Sequence, residues 1–167
     1  MPQNTPNFPN VPPPPEGVRG RLHEPYMRQA LTLAQQAFDE GEIPVGALIV
    51  AGGRIIGRGY NQTERLRDTT AHAEMLAITA ACNQIGSKFL PADTTLYVTL
   101  EPCLMCAGAL AWARPGHIVF GAADVKNGYR KTCGHNNPFH PKTVLTEGIL
   151  QTECAELMIS FFAARRG

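Results

Sequence analysis

The chain has 167 residues, one domain's length, and its 44% hydrophobic content is enough for one packed core. Its 15 Lys and Arg nearly cancel 14 Asp and Glu, leaving a formal charge of +1, which excludes bulk-charge binding of a polyanion and makes any nucleic-acid contact local. No apolar run approaches the roughly 18–20 residues of a membrane span, and the N-terminus lacks the basic-then-apolar layout of a signal peptide, so a cytoplasmic protein is expected.

Prolines crowd the first 25 residues, unbroken from Pro12 to Pro15, and no apolar period accompanies them. Residues 1–23 are therefore expected to be a disordered, Pro-rich N-terminal extension, and residues 24–167 one folded domain. Pro25 suits a first helical position, and Met27, Leu31, Ala34 and Phe38 mark one face of a helix that Gly41 ends. Val45 to Val50 and Arg54 to Tyr60, joined by Ala51-Gly52-Gly53, read as a β-hairpin. A polar loop, Asn61 to Thr70, leads to a second helix from about Ala71, with Ala71, Met75, Ile78 and Cys82 on its inner side.

Thr95 to Leu100 is a strand, closed by Glu101-Pro102, and a third helix of small residues runs from Cys106 to Ala113. Trp112 on that helix is expected in the core or at a dimer interface. His117 to Gly121 is a fourth strand, Ala122 to Pro141 a long irregular stretch of the kind that is functional or mobile, and Thr143 to Leu150 a fifth strand. Cys154, Leu157, Met158, Phe161 and Phe162 stripe a last helix; the adjacent phenylalanines cannot both face inward, which leaves one for RNA or a second subunit. The order α-β-β-α-β-α-β-β-α specifies the α/β class, as a three-layer α/β/α sandwich around a central mixed five-stranded sheet.

Two of the five cysteines form a tight pair, Cys103-Leu104-Met105-Cys106, and His72-Ala73-Glu74 stands at another helix start. One imidazole and two thiolates satisfy zinc and leave its fourth position open to water, the layout of a catalytic site. The partial positive charge of a helix N-terminus favours thiolate at Cys103 and Cys106, which share a face at i and i+3. His72 and Glu74, at i and i+2, point apart by helical spacing. A lone C-x-x-C also suits a redox pair or half of a zinc ribbon, and a carboxylate near zinc also suits a group that orients His72. Cys82 and Cys154 read as small buried hydrophobes, Cys133 and His135 as parts of a metal-free surface loop, and His117 and His140 as structural.

The pairing of H-x-E with P-C-x-x-C is the signature of the zinc-dependent nucleoside deaminases. More narrowly, Ile43-Pro44-Val45-Gly46-Ala47, Thr70-Ala71-His72-Ala73-Glu74, Thr99 to Ala109, Phe120-Gly121-Ala122 and Glu147-Gly148-Ile149-Leu150 resemble the bacterial tRNA-specific adenosine deaminases. The resemblance runs from Tyr26 to Arg166; Thr69 stands where proline is more usual, and Asn127 to Lys142 resembles one branch only. It implies a cytidine-deaminase-like sandwich, a homodimer, and hydrolytic conversion of the wobble adenosine (position 34) of a tRNA anticodon to inosine, with an arginine tRNA as the expected partner. It also implies that His72, Cys103 and Cys106 hold one Zn2+ per subunit, that Glu74 moves protons, that Asn61 bonds the inserted base, and that Asp124 lies near the neighbouring anticodon nucleotide.

A deaminase of a free base or nucleotide, of guanine or cytosine type, would share every metal ligand and is the rival reading among enzymes. A non-catalytic RNA-binding subunit is the rival outside them, and the presence of Glu74 argues against it. Candidate phosphate contacts are Arg130, Lys131, Lys142, Arg165 and Arg166, with helix capping as the competing role of the last two.

Overall fold

A computed structural model describes residues 16–167. In chain order these form α1 (Glu16–Asp39), β1 (Gly46–Ala51), β2 (Arg54–Tyr60), α2 (Thr63–Leu66), α3 (Ala73–Ile85), β3 (Thr95–Leu100), α4 (Leu104–Ala113), β4 (His117–Ala122), α5 (Tyr129–Cys133), β5 (Val144–Glu147) and α6 (Gln151–Arg165). The expected extension overlaps the described chain at 16–23, and there the chain is helical; its remainder, 1–15, lies outside the described residues. Pro25 accordingly falls inside α1 instead of opening it. Contacts on both sides hold the helix across that proline: His23 Nδ1 lies 2.9 Å from the Tyr97 hydroxyl, and the Tyr26 and Tyr97 rings are 5.1 Å apart.

The sheet order is β2-β1-β3-β4-β5. β1 runs antiparallel to both neighbours, and β3, β4 and β5 are parallel, so the sheet is mixed and five-stranded as expected. Gly52 (φ 54°) and Gly53 (φ 74°) make the hairpin turn between β1 and β2, where two consecutive left-handed residues favour glycine. Alternate residues of each strand then serve opposite layers. Leu48, Val50, Tyr97 and Val119 pack with Met27 and Ala30 of α1 and Cys154 of α6. Ala47, Ile49, Leu96, Val98, Ile118 and Phe120 pack with the alanines of α3 and with Ala107 and Leu110 of α4.

The two layers sit very close to the hairpin. A Cβ at Gly57 would lie 2.4 Å from the Ala77 carbonyl oxygen, and one at Gly59 would lie 2.4 Å from that of Ala73. With backbone against backbone only methyl groups fit, so the buried row of α3 is Ala73, Ala77 and Ala81. Met75, Ile78 and Cys82, expected on that inner side, are only half-buried and flank the contact. The same correction applies to α1, where Met27 and Ala34 are buried as expected but Ala30 and Ala37 replace Leu31 and Phe38 in the closest row.

Two elements have no counterpart in the sequence reading: α2 within the polar loop and α5 within the stretch from Ala122 to Pro141. β5 is shorter than expected because Gly148 (φ 83°) and Leu150 (φ 51°) turn the chain into α6. Phe161 is buried and Phe162 exposed, one inward and one outward. Trp112 is 76% exposed and therefore not part of the core. Among the described residues no helix is long and apolar enough to cross a membrane.

If the approach of α3 to β2 is as tight as these distances, Gly59→Ala costs about 1–3 kcal/mol of stability or more through overpacking. Gly20→Ala, inside α1 with nothing within 4 Å of its added Cβ, instead gains up to about 1 kcal/mol. Thermal denaturation of the two variants beside the parent checks both.

Candidate metal centre and its cavity

β3 delivers the chain to Cys103, which caps α4 in an extended conformation (φ −70°, ψ 171°), with Cys106 buried in the first turn that follows. His72 caps α3 in the same way (φ −75°, ψ 154°). Because His72 precedes the helix proper, the helical rule that separates i from i+2 does not apply, and His72 and Glu74 line one cavity. His72 Nδ1 lies 3.5 Å from Cys103 Sγ and 3.6 Å from Cys106 Sγ. The three ligand atoms all fall within 4.8 Å of one another. That spacing admits one cation, and a nitrogen with two sulfurs fits zinc with a position left open. Cys133 and His135 belong to no such group among the described residues.

Burial and the bonds among these groups set their electrostatics. The Cys106 thiol donates to Cys103 and holds it down at about 4, while the same bond and burial push Cys106 up. The bond to Cys103 raises His72. Glu74 is 4% exposed in the first turn of α3, and burial pushes its carboxyl up to about 7. A carboxyl poised there gives up and takes back a proton at neutral pH.

The cavity holds about 910 Å³. It is lined by His72, Glu74 and Cys103, by Val45, Asn61 and Asp124, and by Met158, Phe162 and Arg165 of α6 with Arg166 just after it. All the site residues expected from sequence except the buried Cys106 line this one space. Asn61 is 5% exposed, and its amide donates to Glu42 at 3.4 Å. Asp124 Oδ1 accepts the backbone N–H of Lys126 (3.1 Å) and of Asn127 (3.0 Å), which closes the turn that it begins.

Two buried glutamates were not anticipated. Glu42, 1% exposed, accepts from Thr63 Oγ1 at 3.3 Å, from the N–H of Glu64 at 3.2 Å and from that of Arg65 at 2.7 Å, so it caps α2 from outside. Glu101, 4% exposed, binds Arg130. An acid beside a strand carries no sequence signal of either role. Among the candidate phosphate contacts, Arg130 is paired with Glu101 and Glu147, and the Arg165 guanidinium donates to the Gly41 carbonyl and lies 4.4 Å over the Phe161 ring. Arg165 thus ties the end of α6 to the end of α1, while Arg166 Nε donates back to the Phe162 carbonyl at 3.3 Å. Lys131 and Lys142 are exposed. His117 Nε2 meets Thr146 Oγ1 at 2.8 Å, a structural contact between β4 and β5.

Comparison with known proteins adds to this geometry. The family model of the cytidine and deoxycytidylate deaminase zinc-binding region matches residues 21–122. A tRNA-specific adenosine deaminase of Bacillus subtilis is 41% identical over 86% of this chain and 90% of its own. A chloroplastic tRNA(adenine(34)) deaminase of Arabidopsis thaliana is 45% identical over 90% of this chain, which spans only 13% of that longer protein. Among solved structures, one from studies of A-to-I editing by tRNA:A34 deaminases at the wobble position is 39% identical, with a TM-score of 0.73 over 79% of this chain and 97% of its own. A guanine deaminase of Bacillus subtilis is 44% identical with a TM-score of 0.58, over 60% of this chain and 64% of its own.

Because Glu42 is an acceptor with several donors converging on it, Glu42→Gln sets an amide N–H2 against them and is expected to lower stability by about 1–3 kcal/mol. Chemical denaturation of that variant, at a fixed zinc concentration, measures the loss.

Proposed function

The chain belongs to the zinc-dependent cytidine and deoxycytidylate deaminases and, within them, to the tRNA-specific adenosine deaminases, and from that premise we propose that it converts the wobble adenosine of a tRNA anticodon to inosine. The observation that carries the reading is the cluster of His72, Cys103 and Cys106 beside a cavity that His72, Cys103, Glu74 and Asn61 line and that reaches α6. A zinc ion held by His72, Cys103 and Cys106 would supply the Lewis acid that makes water nucleophilic at neutral pH. Glu74 takes a proton from the attacking water and passes it to the ring nitrogen beside the amino-bearing carbon. It then serves the departing amine, which leaves as ammonia.

Asn61 bonds the edge of the inserted base, and Asp124, which lines the same cavity, meets the neighbouring nucleotide. Phe162 of α6 and Arg166 just after it extend the cavity beyond the size of one base, which supports a polynucleotide over a free base. The partner in this reading is the anticodon stem-loop of an arginine tRNA in the cytoplasm. A second copy of the chain covers the outward face of α4, where Leu104 is 49%, Met105 36% and Trp112 76% exposed. The deciding experiment incubates the zinc-loaded protein with an arginine tRNA stem-loop bearing a wobble adenosine and sequences for inosine, beside free guanine and cytosine assayed for ammonia. Ammonia from the free bases and no inosine in the stem-loop would reject the reading.

The division of labour is testable residue by residue. Glu74→Gln is expected to keep about one zinc per chain and to lose roughly 10²- to 10⁴-fold in turnover, whereas Cys103→Ala loses the metal with the activity. Metal analysis beside single-turnover editing separates the two. For the α4 face, Trp112→Arg is expected to shift the protein from dimer to monomer in sedimentation velocity without lowering the zinc content.

A further inference from the structure

β3 hands the chain to Glu101, a carboxylate that the chemistry above does not use although its side chain is 2% exposed. It accepts four hydrogen bonds: from the backbone N–H of Asp124 at 3.1 Å and of Arg130 at 3.2 Å, and from the Arg130 guanidinium through Nε at 3.1 Å and Nη2 at 2.9 Å. One carboxylate therefore grips both ends of the segment 124–130. The later part of that segment is fastened to the metal-binding turn, since the Tyr129 N–H donates to the Pro102 carbonyl at 2.8 Å and Gly128 pairs with Cys103 as an isolated antiparallel bridge. Gly128 leaves room for the carboxylate, because a Cβ there would lie 2.5 Å from Glu101 Cδ. Arg130 is itself pinned: its Nη1 reaches Glu147 of β5 at 2.8 Å, and its guanidinium lies 5.3 Å over the Phe120 ring.

The held segment begins with the rim of the cavity, Asp124 to Asn127. We propose that Glu101 and Arg130 are positioning residues that set the place of this rim, and of Asp124 within it, against the nucleotide next to the reacting base. The proposal rests on the function given above through Asp124. Fork-shaped pairing of a guanidinium with a carboxylate fixes direction as well as distance, which a lone point charge does not. The rim carries no metal ligand and no proton donor of the reaction, so its displacement acts on the fit of the substrate and leaves the chemical step alone.

Arg130→Met tests this, because it removes the charge and the fork yet keeps the aliphatic stem of a side chain that is 39% exposed. Two readouts are taken on the zinc-loaded protein. Hydrogen exchange of the amides of 124–130 is expected to quicken at least about tenfold while that of 73–77 stays unchanged. For the stem-loop, KM is expected to rise several-fold with kcat within about twofold and zinc at one per chain; in an Asp124→Ala background the same substitution raises KM by less than about twofold. Arg130→Lys, with the charge but not the fork, falls between, and it replaces the methionine variant in both readouts if that one does not fold. Unchanged exchange, an equal rise of KM in both backgrounds, or a loss confined to kcat would overturn the proposal. If the parent protein leaves the stem-loop unedited, the function is wrong, and the exchange measurement still decides whether Arg130 holds the rim.

Discussion

Everything at the site depends on how closely α3 lies against β2. Gly57 and Gly59 remove the side chains that would hold the helix away, and the alanine row of α3 fills what remains. That contact brings the start of α3, and with it His72 and Glu74, to the place where β3 ends and α4 begins. Two helix N-termini then meet in one cavity, and Cys103, which takes the Cys106 thiol's hydrogen bond at the positive end of α4, is the cysteine held as thiolate. The metal site is a consequence of small residues packed elsewhere.

Three buried glutamates surround this site, and their partners divide the labour among them. Glu42 and Glu101 each collect backbone N–H donors and act as anchors. In Glu101 the bonds from Arg130 and the backbone outweigh burial, so its carboxyl lies below the usual range. Glu74 faces two thiol groups and one imidazole with no guanidinium beside it, and burial takes it to about 7. A carboxylate whose guanidinium and N–H donors outweigh burial stays charged at neutral pH; one whose burial outweighs its donors sits where a proton can be taken and returned. The same residue type thus serves as staple and as acid–base group within one small region.

The strands and long helices were legible because their periods are local, and the metal set was legible because H-x-E and C-x-x-C are short motifs with a fixed chemical demand. What was not legible is non-local. α2 and α5 are too short to show a period, and each is held at its start by a glutamate distant in sequence, Glu42 for the first and Glu101 for the second. The inner face of α3 differs for a related reason: apolar spacing points to Met75, Ile78 and Cys82, but the glycines of β2 select the alanine row beside them. Pro25 looked like a helix start because nothing local shows that Tyr97, far along the chain, meets both His23 and Tyr26. Likewise, the carbonyl that Arg165 meets belongs to Gly41, far along the chain, and nothing local shows that contact.

X-ray absorption at the zinc edge of the purified protein tests the central claim most directly, that one imidazole and two thiolates hold the metal while Glu74 stands off it. The expected first shell is two sulfurs at about 2.3 Å, one nitrogen at about 2.0–2.1 Å and one further light atom that Glu74→Gln leaves in place. A shell of three or four sulfurs, or one that loses its light atom in Glu74→Gln, would contradict it.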